Sequence, residues 1–129
     1  IMKLRTKSNS IRLRLTQSEV SLLQEKGIVE EVIYFPDGTN LKYQLKAICI
    51  TGYNPPIMDA NFIDGCITIL ILSHVIDQWA GSDEVSISGS VMYEDQEQEK
   101  LSLLVEKDFQ CLSPRDEDEA DMFPNPENM

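Results

Sequence analysis

The sequence of 129 residues has few of the features that identify a function directly. It has no run of about 20 apolar residues, which a membrane-spanning helix needs, and its longest apolar stretch, ITILIL, has the length of a strand. One histidine and three widely spaced cysteines give neither a zinc-binding pattern nor a disulfide framework. No phosphate-binding glycine loop, nucleophile elbow or dinucleotide fingerprint occurs. These absences leave enzymatic activity open but favour a non-enzymatic, cytoplasmic protein without cofactor, metal or membrane partner.

The charge of the chain is acidic overall and unevenly distributed. The formal net charge of -11 disfavours nucleic-acid binding, because a phosphate backbone would be repelled by most of the surface. Residues 1–46 nevertheless hold eight of the eleven Lys and Arg residues and only five of the 22 acids. The basic side chains are therefore concentrated in the first third of an acidic protein.

Four stretches alternate apolar and polar residues on both sides of a turn sequence, which is the pattern of a β-hairpin. The turn sequences are SNS at 8–10, DG at 37–38, DG at 64–65 and the polar loop EDQEQE at 94–99. Asp-Gly is a strong signal for a tight turn, because both residues tolerate positive backbone φ angles. The alternation therefore predicts eight strands in four hairpins.

Capping signals predict two short helices, each lying between two hairpins. Thr16 and Glu19 have the spacing of a capping box, and Gly27 stands where the end of a helix favours a left-handed residue. Ser73 is the candidate N-cap of the second helix, and Gly81 is its candidate terminator. The predicted helices cover about 17–26 and 74–80.

The order strand, strand, helix, strand, strand occurs twice, so we predict a duplicated ββαββ unit. The expected fold is α+β and mostly antiparallel, with its eight strands forming either one barrel-like sheet or two sheets face to face. We expect a single domain at 2–112, built from repeats at 2–50 and 57–110, followed by an acidic tail at 113–129. The proline pair in YNPPI, at 53–57, marks the linker between the repeats.

The apolar face of each predicted element defines the expected core. Trp79 is the most informative member, since a large aromatic residue on a short helix must anchor that helix to the sheet. The expected core consists of Leu13, Leu15, Val20, Leu23, Tyr43, Leu45, Ile69, Ile71, Ile76, Trp79, Val85, Ile87, Leu103 and Val105.

Alternating cations on three predicted strands are the best candidate for a functional site. Alternation places each set on one sheet face, where several cations can converge on a phosphate or carboxylate, and arginine binds such anions with two hydrogen bonds. Lys7 and Lys46 continue the same alternation. The candidate ligand-binding residues are Lys3, Arg5, Arg12, Arg14 and Lys42.

Two functions fit these cations. The protein either binds a small anionic or phosphorylated ligand, or it is a structural or interaction protein, for example a homodimer, that has no ligand site. In the second case the basic N-terminal face meets an acidic surface of a partner. The cations can also be no more than the solvated face of a sheet, paired with acids such as Glu30 and Glu31. The solvated face is the more common outcome for surface charge.

Other candidate residues have more ordinary explanations. His74 could act as a general base, and Cys66 or Cys111 as a nucleophile, but no partner occurs at a recognisable triad spacing. Structural roles are more frequent for such isolated residues. In the tail, Met122 and Phe123 of MFPNP follow five acids within 116–121 and could dock onto an apolar groove of this chain or a neighbour.

The sequence resembles two groups of known proteins. The segments NSIRLRLTQSEV, LVEKDFQCL and FPNP resemble a small uncharacterised family of bacterial proteins over nearly the whole chain. The duplicated arrangement is also similar, in fold only, to the CYTH-like triphosphate tunnel proteins, which are eight-stranded barrels that hold polyphosphate and divalent metal. Their first strand alternates glutamates with lysine, whereas this chain has the cations Lys3, Arg5 and Lys7 there.

Overall fold

The computed structural model describes residues 1–49, 56–93 and 96–108, and among these it describes the side chains of all residues except 92–99. Its elements follow the order ββαββ twice, as the alternation and the capping signals predict. The elements are β1 (Lys3–Thr6), β2 (Ser10–Leu15), α1 (Gln17–Lys26), β3 (Ile28–Tyr34), β4 (Asn40–Ile48), β5 (Met58–Ile63), β6 (Cys66–Leu72), α2 (Ser73–Ala80), β7 (Ser86–Tyr93) and β8 (Gln96–Lys107).

The eight strands form two four-stranded sheets, which confirms the α+β fold and its two-sheet arrangement. The first sheet has the order β1-β2-β8-β7, and the second has the order β3-β4-β6-β5. Neither sheet closes into a barrel within the described parts of the chain. The four hairpin pairings are antiparallel, whereas the central pairings, β2 with β8 and β4 with β6, are parallel. Each sheet therefore joins one hairpin from each repeat.

Exchanging the two repeats exchanges the two sheets. The strands β1, β2, β8 and β7 correspond in order to β5, β6, β4 and β3, and the parallel central pairs correspond to each other. Equivalent inward-facing residues follow from the registers: Met2 and Met58, Leu13 and Ile69, Leu15 and Ile71, Leu103 and Tyr43, Val105 and Leu45. Both sheets place these residues in one shared core.

The core agrees with the expected set except at Val85. Thirteen of the fourteen expected residues are buried, but the Val85 side chain is 50% exposed. The reason is that β7 begins at Ser86, so the alternation of the strand does not extend to Val85. Its carbonyl instead accepts hydrogen bonds from Trp79 Nε1 and from the Lys107 amide. The buried residues that the sequence did not predict include Met2, Val29, Met58 and Leu72.

The turns and helix ends follow their local sequences at most positions. Gly27 ends α1 in the left-handed conformation, and Asp64 and Gly65 both have positive φ in the turn between β5 and β6. Two predictions about α2 need correction. Leu72 is the N-cap, because the Ser73 hydroxyl donates to the Ile48 carbonyl on β4 rather than to its own helix. Gly81 ends the helix without a left-handed φ.

Some predicted features lie outside the described residues. They are most of the linker at 53–57, the residue Cys111 and the tail at 113–129 with its Met122-Phe123 pair. The predicted loop at 94–99 is shorter than expected, since β8 already begins at Gln96.

Candidate functional site

Four of the five predicted ligand-binding cations lie together on one face of the first sheet. The register places Lys3 on β1 directly opposite Arg14 on β2, and Arg5 directly opposite Arg12. Leu13, which lies between the two β2 arginines, points into the core, so the cations occupy the outward side of the sheet. They line a shallow depression of about 350 Å³. We refer to Lys3, Arg5, Arg12 and Arg14 as the basic face.

Two carboxylates at the end of β8 approach the basic face. Glu106 Oε1 lies 2.8 Å from Arg14 Nη2 and accepts a second hydrogen bond, of 2.8 Å, from Arg14 Nε. The same oxygen lies 3.6 Å from Arg12 Nε, so one carboxylate serves two guanidinium groups. Lys3 Nζ lies 3.2 Å from Asp108 Oδ2. Because each arginine carries five N–H donors, Glu106 occupies only part of the donor capacity of this pair.

The fifth predicted cation, Lys42, lies elsewhere. It is on β4 in the second sheet, where its Nζ is 3.9 Å from Glu30 Oε2. This contact is the cross-strand pairing of a solvated sheet face. Lys42 is therefore separate from the basic face, and Lys46 lies on the same strand of the second sheet.

A hydroxyl-rich depression adjoins the basic face and shares Arg12 with it. It has a volume of about 460 Å³ and extends over β2, β8 and β7. The alternation of β7 and the pairing of Ser90 with Ser102 put these side chains on the same outward face as Arg12. The polar side chains that line it are Ser10, Arg12, Ser88, Ser90, Lys100 and Ser102. The alternating serines of SISGS indicate a polar face on this strand. Only the pairing of β7 with β8 places that face beside the arginines.

A further opening lies between the two sheets and is apolar. It has a volume of about 500 Å³ and lies at the end of the molecule where the hairpin turns are. We refer to it as the apolar cleft. Of the described residues that line it, only Asn61 is polar, and the apolar ones are Ile11, Leu41, Ala60, Phe62, Ile67 and Leu101.

The remaining candidate residues do not form a site together. His74 is exposed near the start of α2, and Cys66 is half-buried at the start of β6, with its Sγ 3.7 Å from the Thr68 hydroxyl. Across the described ranges, no group of three or more His, Cys, Asp or Glu side chains is arranged to hold a metal ion. None of the helices described is both long and apolar enough to cross a membrane.

The sequence was compared with known families, with curated proteins and with solved structures. The comparisons with curated proteins and with solved structures gave no match. A family model, described as a family of unknown function, matches residues 2–127, which is nearly the whole chain. This chain, with its basic face on one of two equivalent sheets, belongs to that family, DUF7009.

Proposed function

We propose that this protein is a non-enzymatic binder of a small anion, with a phosphate group of a small molecule as its ligand. The basic face is the proposed site, and Lys3, Arg5, Arg12 and Arg14 are its binding residues. The observation that carries the proposal is the register of β1 and β2, which puts cation opposite cation at two neighbouring positions.

Like charges directly opposite each other destabilise an antiparallel pair. Glu106 and Asp108 offset part of this repulsion, but Glu106 is shared between two arginines. An anion placed between Arg12 and Arg14 would reduce the repulsion further, and guanidinium groups suit phosphate because they can donate two parallel hydrogen bonds to it. Anion binding should therefore raise the free energy of unfolding, because it relieves the repulsion between these cations.

The neighbouring hydroxyl-rich depression suggests what the rest of the ligand is. Serine hydroxyls both donate and accept hydrogen bonds, so they suit a ligand with its own hydroxyl groups. Arg12 lies in the lining of both depressions. A phosphate on the basic face would thus leave the remainder of a polar, hydroxylated molecule beside Ser90 and Ser102.

Thermal and chemical denaturation with and without pyrophosphate tests the proposal. At about 100 times its dissociation constant, the ligand should add roughly 2.7 kcal/mol to the free energy of unfolding. Arg12→Ala and Arg14→Ala should lose most of this gain. Without pyrophosphate they should stay within about 0.5 kcal/mol of the wild type, because removing a cation also removes repulsion.

Lys42→Ala is the matched control, because it removes one positive charge from a strand of the other sheet. It should keep the full gain from pyrophosphate, whereas a general charge effect would reduce the gain in all three variants alike. Equal gains in the wild type, Arg12→Ala and Arg14→Ala would contradict the proposal.

A further inference from the structure

The apolar cleft is an unusual feature for the end of a small acidic protein. Phe62 faces it from β5, yet its side chain remains 66% exposed. Two pairs of equivalent residues, Ile11 with Ile67 and Leu41 with Leu101, line its walls. The cleft therefore lies where the two repeats meet, and it leaves apolar surface of both sheets open to water at a cost in free energy.

The chain itself contains an apolar segment that the described residues do not include. The structure is described up to Asp108, and the tail beyond it contains Met122 and Phe123 directly after a run of acids. Met122 is the fourteenth residue after Asp108, which gives a reach of about 46 Å in an extended chain. The way back from Asp108 along β8 to Leu101 covers seven residues, or about 23 Å.

The distance that the chain can reach also favours this segment over the other apolar residues that follow Asp108. Phe109 and Leu112 lie one and four residues beyond Asp108, so they reach at most about 3 and 13 Å from it. Neither distance spans the 23 Å or so to the cleft. Met122 and Phe123 have about twice the length they need, which leaves room for a curved path around the end of the sheet.

Charge favours the same route. Asp108 already lies on the basic face, where its carboxylate is 3.2 Å from Lys3 Nζ. A tail that turns back from Asp108 toward the hairpin end passes beside β1 and β2, and its acids at 116–121 would run next to Arg5 and Arg12. Opposite charges at this spacing attract, whereas the acidic remainder of the surface would repel the same segment.

We propose that the apolar cleft is the docking site of the chain's own Met122-Phe123 segment, with the Phe123 ring placed between Ile11 and Ile67. The inference does not rest on anion binding, because the cleft is a separate surface. The acids that lead to it would pass Arg5 and Arg12, however, so a bound anion would compete with them there. Docking would cover Phe62 and close the open end of the two sheets.

Methyl NMR of the full-length protein tests this docking. An aromatic ring shifts the resonances of the methyl groups it contacts, so Phe123→Leu, which keeps an apolar side chain but removes the ring, should shift the Ile11 and Ile67 methyl resonances. The methyl resonances of Ile71 and Ile76, which are buried away from the cleft, should stay in place. Met129→Leu is the control for a general effect of changing the tail.

Two results would overturn the proposal. The first is a Phe123→Leu spectrum in which the Ile11 and Ile67 resonances are unchanged. The second is a shift that grows with protein concentration, which would show that the cleft receives the tail of a second copy instead. A Leu41→Asp variant adds a positive check that keeps the Phe62 ring in place, because a charge in the cleft should release the segment and reproduce the Phe123→Leu shift at Ile11 and Ile67.

Discussion

The two sheets of this protein are alike on their inner faces and different on their outer faces. Inside, most equivalent positions hold side chains of similar size and polarity, such as Met2 and Met58 or Leu15 and Ile71. Outside, the positions equivalent to the basic face carry no cation. The equivalent pairs are Lys3 and Asp59, Arg5 and Asn61, Arg12 and Thr68, Arg14 and Leu70.

This difference separates what the fold requires from what it permits. Close packing restricts the volume of a core residue, so two sheets that share one core keep similar residues there. The second sheet shows that the same architecture forms without cations at the four positions equivalent to the basic face. The two sheets share no requirement for cations at these positions, which supports the binding function that we propose for the basic face.

The largest loss of stability is expected at a core position where the two repeats have different residues. Trp79 on α2 corresponds to Leu23 on α1, and both side chains are fully buried. The indole also donates a hydrogen bond of 3.1 Å to the Val85 carbonyl, and Lys107 Nζ lies 5.7 Å from the ring centre. Trp79→Ala should lower the free energy of unfolding by about 3–5 kcal/mol, as measured by urea denaturation.

Leu23→Ala is the matched control, and its cost should lie nearer 2–3 kcal/mol because it leaves a smaller cavity and breaks no hydrogen bond. Equal costs for the two variants would show that the repeats contribute alike to stability. A near-wild-type Trp79→Ala would mean that α2 is not anchored by its tryptophan.

Tyr43 gives the next largest effect, because the equivalent residue, Leu103, has no hydroxyl. The buried Tyr43 hydroxyl donates a hydrogen bond of 2.9 Å to the Met2 carbonyl and so ties β4 to the start of β1. Tyr43→Phe leaves this carbonyl without its donor and should cost about 1–3 kcal/mol at pH 7. Leu103→Val, at the equivalent position, should cost a similar amount or less, but without any dependence on pH.

The contribution of Tyr43 to the free energy of unfolding should depend on pH. Burial raises the pKa of Tyr43, and the negative charges of Glu31 and Glu19 raise it further. The folded protein therefore holds this proton more tightly than the unfolded chain does. The contribution of Tyr43 is complete below the ordinary tyrosine pKa of about 10 and is lost as the pH rises through the raised pKa. The difference in free energy of unfolding between wild type and Tyr43→Phe should therefore become smaller in denaturation curves measured from pH 9 to 11. A difference that stays constant would contradict a raised pKa of Tyr43 in the folded protein.

Gly89 tests how closely the two sheets approach each other. A Cβ at this position of β7 would lie 2.9 Å from Met58 Sδ on β5, which is closer than atoms pack. Gly89→Ala should therefore cost about 1 kcal/mol, at the low end for overpacking, because the methionine side chain can shift. In a Met58→Ala background the same change should be neutral or favourable. Additive effects of the two substitutions would show that the residues do not touch.

The sequence predicts the local elements of this fold better than the way they combine. Hairpins and helices depend on signals within a few residues, such as the Asp64-Gly65 turn and the Thr16-Glu19 capping box, in which the Glu19 carboxylate accepts the Thr16 amide hydrogen. The parallel pairing of β2 with β8 depends on residues some 90 positions apart, for which the sequence has no local signal. Met2 and Met58 were missed because the alternation of a short edge strand is too brief to identify its buried residues.

The same limit applies to the candidate site. Alternation predicts that Arg12 and Arg14 share a face, and the short SNS turn suggests that β1 pairs with β2. Whether Lys42 joins them depends on which sheet contains β4, and the structure places β4 in the other sheet. The approach of Glu106 and of the serines of β7 depends on the pairings across the repeats as well. A sequence can therefore indicate the cations of a site more readily than the acids and hydroxyls around them.

The smallest expected effect on stability, and the sharpest test of the outer faces, comes from Glu106. Its side chain is largely covered, and its Oε1 neutralises part of the charge of Arg12 and Arg14. Glu106→Gln should lower the free energy of unfolding by about 0.5 kcal/mol in the absence of anions, since the arginines of such a pair remain partly solvated. With pyrophosphate present the loss should disappear, because the anion takes the place of the carboxylate, and the gain from pyrophosphate should exceed that of the wild type. Lys46→Gln, at the equivalent position of the second sheet, is the control and should show the same gain from pyrophosphate as the wild type. A smaller gain in Glu106→Gln than in the wild type would mean that the Glu106 carboxylate helps to form the site and does not compete with the anion.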